Sequence, residues 1–149
     1  MHSFFGTHQY TLDPKNRLFL PPEFRAALGG EKAWHFMIAS GFEDCLYLYL
    51  PSQWEALLDS DPESFKSGDK QEVRAFRRFF FGSAGRAPVD GQGRVLLESR
   101  HKDYAGLKKQ VTIVGVGSKA EIWDSARWNA YSARHIKTRA ARFGKIYDL

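Results

Sequence analysis

The sequence predicts a mainly β fold with short helices, an α+β chain made of two pseudo-symmetric halves. The first observation is a repeat. Phe5-Gly6 is followed by Asp13-Pro14-Lys15-Asn16-Arg17-Leu18-Phe19-Leu20, and Phe81-Gly82 by Asp90-Gly91-Gln92-Gly93-Arg94-Val95-Leu96-Leu97. The Asp and Arg recur at an offset of 77 and the Phe-Gly at 76, while Leu48-Tyr49 and Trp54 match Ile122-Trp123 and Trp128 at an offset of 74. Offsets that drift so little mark an internal duplication, with copies over about residues 4–60 and 80–130. The second observation is the set of short runs rich in aromatic and branched residues, bounded by turn formers. The third is that helix start and stop signals lie only a few residues apart.

The elements follow in order. Residues 5–12 and 17–20 are expected as strands around a turn. Pro21-Pro22-Glu23 opens a short helix through Leu28, because proline suits a first helical turn, and Gly29-Gly30 stops it. Trp34–Ala39 and Leu46–Leu50 have strand composition. Ser52-Gln53-Trp54-Glu55 has the form of a capping box, which places a helix over about 53–59. Asp59–Asp69, with Pro62, Ser64, Ser67 and Gly68, has linker composition. Asp69 with Glu72 starts another helix, with Val73, Phe76 and Phe80 on one face and Gly82 at its end. The linker and this connecting helix occupy 61–79. The second half repeats the plan, with strands near 83–89 and 94–97, a helix near 99–105, and strands at 110–116 and 119–123. Asp124 or Ser125 then caps a final helix, and residues 131–149 form a basic helical tail.

Composition bounds the function. The 149 residues are 43% hydrophobic and 15% aromatic. A chain of this size buries roughly 70% of its unfolded surface, so it makes one domain or two small halves that lean on each other. No stretch approaches the roughly 18 apolar residues of a membrane span, and the Met1-His2-Ser3-Phe4-Phe5 start lacks the pattern of a signal peptide. The single Cys45 excludes an internal disulfide and a multi-cysteine zinc site, and fits a reducing, intracellular compartment. The net charge of +5 is unevenly placed: residues 1–126 hold 16 basic and 16 acidic side chains, residues 127–149 six basic and one acidic. The excess belongs to the tail, from Arg127 through Arg134, Lys137, Arg139 and Arg142 to Lys145. Such a segment is a solvated helix, a non-specific DNA tether, or a dock for an acidic partner.

The two Asp-x-x-x-Arg segments carry the most chemistry. Asp13 and Asp90 suit the first position of a type I turn, and Pro14 the second. A three-residue hairpin loop then needs a left-handed residue, which Asn16 and Gly93 supply. Arg17 and Arg94 begin the return strands within reach of the opposing carboxylates. With nine Asp and twelve Arg in the chain, about one such spacing arises by chance, and a lone tip is only a turn with a surface ion pair. Two copies, each downstream of Phe-Gly, point to function.

Here the chain resembles the MraZ family of bacterial transcriptional regulators. The first half matches at Phe5-Gly6, Leu12-Asp13-x-Lys15-x-Arg17-Leu18-x-Leu20-Pro21, Phe24-Arg25, Cys45-Leu46-Tyr47-Leu48-Tyr49, Ser52-x-Trp54-Glu55 and Arg77-Arg78 before Phe81-Gly82. The second half matches at Asp90-x-Gln92-Gly93-Arg94-Val95-Leu96, Ala105-Gly106-Leu107, Val114-Gly115 and Glu121-Ile122-Trp123-Asp124. The likeness spans about residues 1–130. It implies two AbrB-like swapped-hairpin modules forming a double-split β-barrel. It also implies a ring-shaped homo-oligomer, often an octamer, in the cytoplasm and nucleoid, that binds short repeated promoter elements of the division and cell-wall gene cluster. Two departures stand out: Pro14 and Asn16 replace a small residue and glycine, and Glu98-Ser99-Arg100 follows the second tip in place of a proline.

The resemblance assigns double-stranded DNA contact to Arg17, Lys15 and Arg94; Arg86 and Arg25 are secondary candidates, for which a solvated-surface role is an equal alternative. A two-stranded ribbon fits the major groove, where arginine bonds guanine O6 and N7 bidentately; the same side chain also grips phosphate. Gln92 replaces the basic residue in the second tip, so the first tip is expected to dominate. Arg74, Arg77 and Arg78 lie beside Phe76, Phe79, Phe80 and Phe81 in a spacing that favours packing over nucleic-acid binding, and Trp34, Trp54, Trp123 and Trp128 are expected in the core or at interfaces. Two other function classes compete. An enzyme finds little support: His2, His8, His35, His101 and His135 lack metal-ligand spacing, Gly115-Val116-Gly117-Ser118-Lys119 lacks the phosphate-loop spacing, and Ser83-Ala84-Gly85 is no nucleophile elbow. No cofactor or metal is expected. An antitoxin-like protein-interaction module of the same fold is the other alternative.

Overall fold

The structure is a computed structural model, and residues 3–60 and 69–149 are described. The first half contributes β1 (Thr7–Thr11), β2 (Arg17–Phe19), α1 (Pro22–Ala26), β3 (His35–Ser40), β4 (Leu46–Tyr49) and α2 (Pro51–Asp59). Next come α3 (Lys70–Ser83), β5 (Gly85–Pro88), β6 (Arg94–Leu96), α4 (Ser99–Ala105), β7 (Gln110–Gly115), β8 (Ala120–Asp124), α5 (Ser125–Tyr131) and α6 (Lys137–Ile146). The fold is mainly strands with short helices. Most of the expected Asp59–Asp69 linker lies outside the described residues.

The strands pair across the halves. An antiparallel sheet runs β1-β7-β8-β4-β3-β5, and β2 pairs with β6 in a separate ribbon. The first strand of each half thus joins the third strand of the other: Tyr10 faces Val111 in the β1–β7 pair, and Ala87 faces Phe36 in the β5–β3 pair. The axis relating the halves passes through Tyr47 and Glu121, which face each other between β4 and β8, and through Leu18 and Val95 between β2 and β6. This is the exchange of hairpins that a duplicated, AbrB-like chain implies. The barrel, however, does not close. β1 and β5 are the edges of the sheet, because each hairpin's two arms part just beyond its tip, one into the sheet and one into the ribbon.

Two apolar layers result. The inner face of the sheet buries Phe36, Ile38, Leu46, Leu48, Val111, Ile113 and Ile122 against Leu18 and Val95 of the ribbon and Phe24 and Leu28 beside α1. The outer face carries Ala39, Cys45, Tyr47, Tyr49 and Trp123, covered by Trp54 of α2, Phe76, Phe80 and Phe81 of α3, and Trp128 and Tyr131 of α5. The aromatics of α3 therefore pack, as their helical spacing predicts: Phe80 lies 5.6 Å from Trp54 and 5.4 Å from Phe76, centroid to centroid. Of the four tryptophans, Trp54, Trp123 and Trp128 pack in this outer layer, while Trp34 is 59% exposed.

Helix ends follow local chemistry, with one correction. Asp69 accepts from the Gln71 N–H and Asp124 from the Arg127 N–H, so both cap their helices. Ser52 does not cap α2. That helix starts two residues earlier than expected, at Pro51, whose fixed φ suits the first helical position; Gln53 accepts from the Leu50 N–H, and the Ser52 N–H and hydroxyl donate to Glu31. α4 forms without a leading proline and stops at left-handed Gly106, φ +60°. A π turn over Ser132–Ile136 joins α5 to α6, so the tail is helical through Ile146.

Candidate nucleic-acid interface

The site is built from the two tips. In the first, the Asp13 carbonyl accepts from the Asn16 N–H at 3.0 Å, and the Asp13 N–H donates to the Arg17 carbonyl at 3.0 Å. The Asp90 carbonyl and N–H do the same with Gly93 and Arg94, at 3.0 and 2.8 Å. Asn16 and Gly93 have φ of +63° and +87°. Both loops are thus type I turns closed by a left-handed residue, as the residue types predict.

Each aspartate then organises its tip. Asp13 Oδ1 accepts from the N–H groups of Lys15 and Arg17 at 2.9 and 2.8 Å, and Oδ2 from Arg17 Nε at 2.6 Å. Asp90 accepts from Gln92, Arg94 and Arg94 Nε at 2.9, 3.0 and 2.9 Å. At Asp13, desolvation works to raise the pKa, but the bonds from Arg17 and Lys15 outweigh it and hold the carboxyl below its ordinary value of 3.8. At Asp90 the Arg94 backbone N–H lowers the pKa most, assisted by the Arg94 guanidinium and the Gln92 N–H. Lowered native values mean that the ionised tips favour the fold above the ordinary aspartate range. That contribution is lost as the pH falls through the lowered values, so the tips stay ordered at neutral pH.

Strand alternation sets what the ribbon shows to solvent. Leu18 and Val95 point into the core and are fully buried. Arg17, Phe19, Arg94 and Leu96 therefore share the outer face. Arg17 lies opposite Leu96 and Arg94 opposite Phe19, which makes the two arginines diagonal neighbours, about 7–8 Å apart at the backbone. The Arg94 guanidinium stands over the Phe19 ring at 5.8 Å. Among the described residues neither guanidinium bonds through its Nη atoms. Each is held at Nε with its terminal nitrogens unbonded, which leaves a pair of donors for bidentate recognition of guanine or phosphate.

The other candidates are placed differently. Lys15 and Gln92 are exposed at the two tips. Arg25 braces the second tip: its Nε donates to the Leu20 carbonyl at 3.1 Å, and its guanidinium lies where a side chain at Gly93 would be. Arg86 is not at a tip. It is exposed on the outer side of the edge strand β5, opposite Met37. Sequence reasoning missed Phe19, whose odd-numbered register with Arg17 was the available signal. The Gly93 geometry yields a prediction. Gly93→Ala should destabilise the fold by about 1–3 kcal/mol, through its φ and the encounter with Arg25, whereas Asn16→Gly should change stability by under about 1 kcal/mol; urea denaturation measures both.

Known proteins share this plan. A family model described as "MraZ protein, putative antitoxin-like" matches residues 3–78 and 80–143. The chain belongs to the MraZ family. It is similar to the transcriptional regulator MraZ of Acetivibrio thermocellus, with 41% identity covering 87% of this chain and 86% of the relative. It is also similar to those of Pelotomaculum thermopropionicum, 40% identical over 98% and 97%, and Heliobacterium modesticaldum, 38% identical over 97% and 97%. The relatives to which this chain is similar are named as transcriptional regulators. Its Cys45 is fully buried, donates to the Phe42 carbonyl at 3.3 Å, and has its thiol pKa pushed up, by burial first and by Glu121 and Glu43 next. Among the described residues no His, Cys, Asp or Glu group could hold a metal ion, and no helix is long and apolar enough to cross a membrane.

Proposed function

We propose that this chain is a sequence-specific, DNA-binding transcriptional regulator that engages promoter DNA through its hairpin tips. The observation that carries this reading is the pair of arginines on one ribbon face, each held at Nε by its own aspartate with its Nη atoms unbonded among the described residues. A two-stranded ribbon enters the major groove, where a pre-positioned guanidinium distinguishes guanine. Arg17 carries the first tip with Lys15 on phosphate, and Arg94 the second. Asp13, Asn16, Asp90 and Gly93 shape the turns. Arg86, exposed on the edge strand β5, is a secondary contact away from the tips.

Family membership supports the rest of the proposal. The DNA is the promoter of the division and cell-wall gene cluster, with short repeated elements. The protein acts in the cytoplasm and nucleoid as a ring-shaped homo-oligomer, an octamer, so that several protomers engage several repeats and each bound tip raises the effective concentration of the next. The family description includes the words "antitoxin-like", and an interaction module of that kind is the competing reading.

A footprint of the full chain on the promoter fragment upstream of its own gene tests the proposal. Protection of regularly spaced short repeats is expected, with affinity that falls steeply as salt rises, because phosphate neutralisation releases counterions. Protection with no sequence preference, or none at all with a co-purifying protein partner, would favour the interaction module.

A further inference from the structure

The two tips have the same fold but different neighbours. The strand register fixes who those neighbours are. Gln110 faces Thr11 at the start of β7, and the equivalent pair in the other half is His35 facing Pro88 at the start of β3. The residues just before these are Lys108-Lys109 beside the first tip and Ala33-Trp34 beside the second. Lys109 and Lys108 are exposed, yet their backbone is fixed. The Lys109 carbonyl accepts from the Leu12 N–H at 2.8 Å, one residue from Asp13. The Lys108 N–H donates to Asp124 Oδ1 at 3.2 Å, and Asp124 also caps α5. The first tip therefore has two exposed lysines anchored to its own hairpin. The second has a small residue and an exposed indole at those places.

We infer that Lys108 and Lys109 are a phosphate-binding flank of the first tip, making that tip the salt-sensitive anchor on DNA, while Trp34 gives the second tip an apolar flank that contributes no counterion release. This rests on the DNA-binding reading above. The physical argument is one of charge and anchoring. Residues 1–126 carry no net charge, so attraction to phosphate must come from local clusters. Lys15, Arg17, Lys108 and Lys109 form one around the first tip; the matching positions around the second are Gln92, Arg94, Ala33 and Trp34, and Arg25, the further guanidinium there, is bonded to the Leu20 carbonyl and packed on Gly93. Lysine is a point charge suited to phosphate, which positions a protein without specifying sequence. An indole reaching DNA meets sugar or a thymine methyl, contacts that displace no counterions.

Salt titrations of the full chain on its promoter fragment and on unrelated duplex DNA test this. The set comprises the unaltered chain, Lys108→Ala/Lys109→Ala, Trp34→Lys and Arg17→Ala. Alanine keeps both backbone bonds of the lysine pair, so the fold survives, which a thermal melt checks. The double lysine variant should flatten the slope of log K against log salt by about 2 per engaged protomer, and weaken both DNAs to the same degree. Trp34→Lys should steepen it by about 1. An unchanged slope in the double lysine variant overturns the inference, as does loss of promoter preference with the slope intact. If Arg17→Ala still loses promoter preference in that case, the DNA-binding reading stands alone. If the unaltered chain binds neither DNA, both fall.

Discussion

Arg17→Ala is expected to abolish discrimination between promoter and unrelated DNA while leaving the protein folded. A bidentate arginine contact to a base is worth about 1–3 kcal/mol, or roughly 5- to 150-fold per contact. If several protomers engage several repeats, the loss multiplies. Stability should hardly move. The Arg17 side chain is partly exposed, and without its guanidinium the Asp13 carboxylate still accepts from the backbone N–H groups of Lys15 and Arg17. Arg94→Ala should divide its effect differently. That side chain is 17% exposed against 34% for Arg17, because it stands over Phe19 as well as bonding Asp90. Removing it strips packing from the ribbon, so a smaller loss of DNA affinity and a larger loss of stability are expected. Gel shifts at fixed salt, with thermal melts beside them, measure both. Unchanged promoter affinity for Arg17→Ala would remove the tips from the mechanism.

The tips were legible because their chemistry is local. An aspartate that bonds its own turn, a left-handed Asn or Gly, and an arginine four residues on are fixed by sequence spacing alone, and the structure reproduces each bond. The duplication was legible for the same reason. What spacing does not encode is which strand pairs with which. The runs at 5–12 and 110–116 each have strand composition, but nothing in either says that β1 joins β7 across the halves. That exchange lets the ribbon lie over the core, and it leaves β1 and β5 as sheet edges. Arg86 shows the cost at one residue. Spacing does not say which side of β5 it takes; alternation puts it opposite Met37, on the face away from buried Ala87. Trp34 shows another, since spacing does not say that its place ahead of β3, at the end of the sheet, leaves it exposed on the single chain. At α2, Ser52-x-x-Glu55 competed with Pro51 for the start, and the preset φ of proline prevailed.

Leu18→Ala should lower stability by about 2–5 kcal/mol, a drop in Tm of roughly 4–20 °C for a chain of this size. Leu18 is fully buried on the pseudo-twofold axis, facing Val95, and each ribbon strand has only three residues. Each strand therefore sends one side chain inward between its tip and the residue that follows, so the ribbon is seated on that pair with Leu20 and Leu97 just beyond. The tips are tied across the same ribbon: the Leu20 N–H donates to the Gly93 carbonyl at 3.3 Å, and the Leu97 N–H to the Asn16 carbonyl at 2.8 Å. A cavity beneath Leu18 thus loosens both tips together, and DNA affinity should fall more than for a core substitution of equal cost elsewhere, such as Ile113→Ala on β7. Phe19→Ala is the complementary case. Phe19 is 42% exposed, so Tm should move little, while Arg94 loses the ring beneath its guanidinium. If Leu18→Ala and Ile113→Ala, matched for Tm, bind DNA equally, the ribbon does not position the tips. If Leu18→Ala alone loses affinity, the buried axis pair is the support on which both arginines depend.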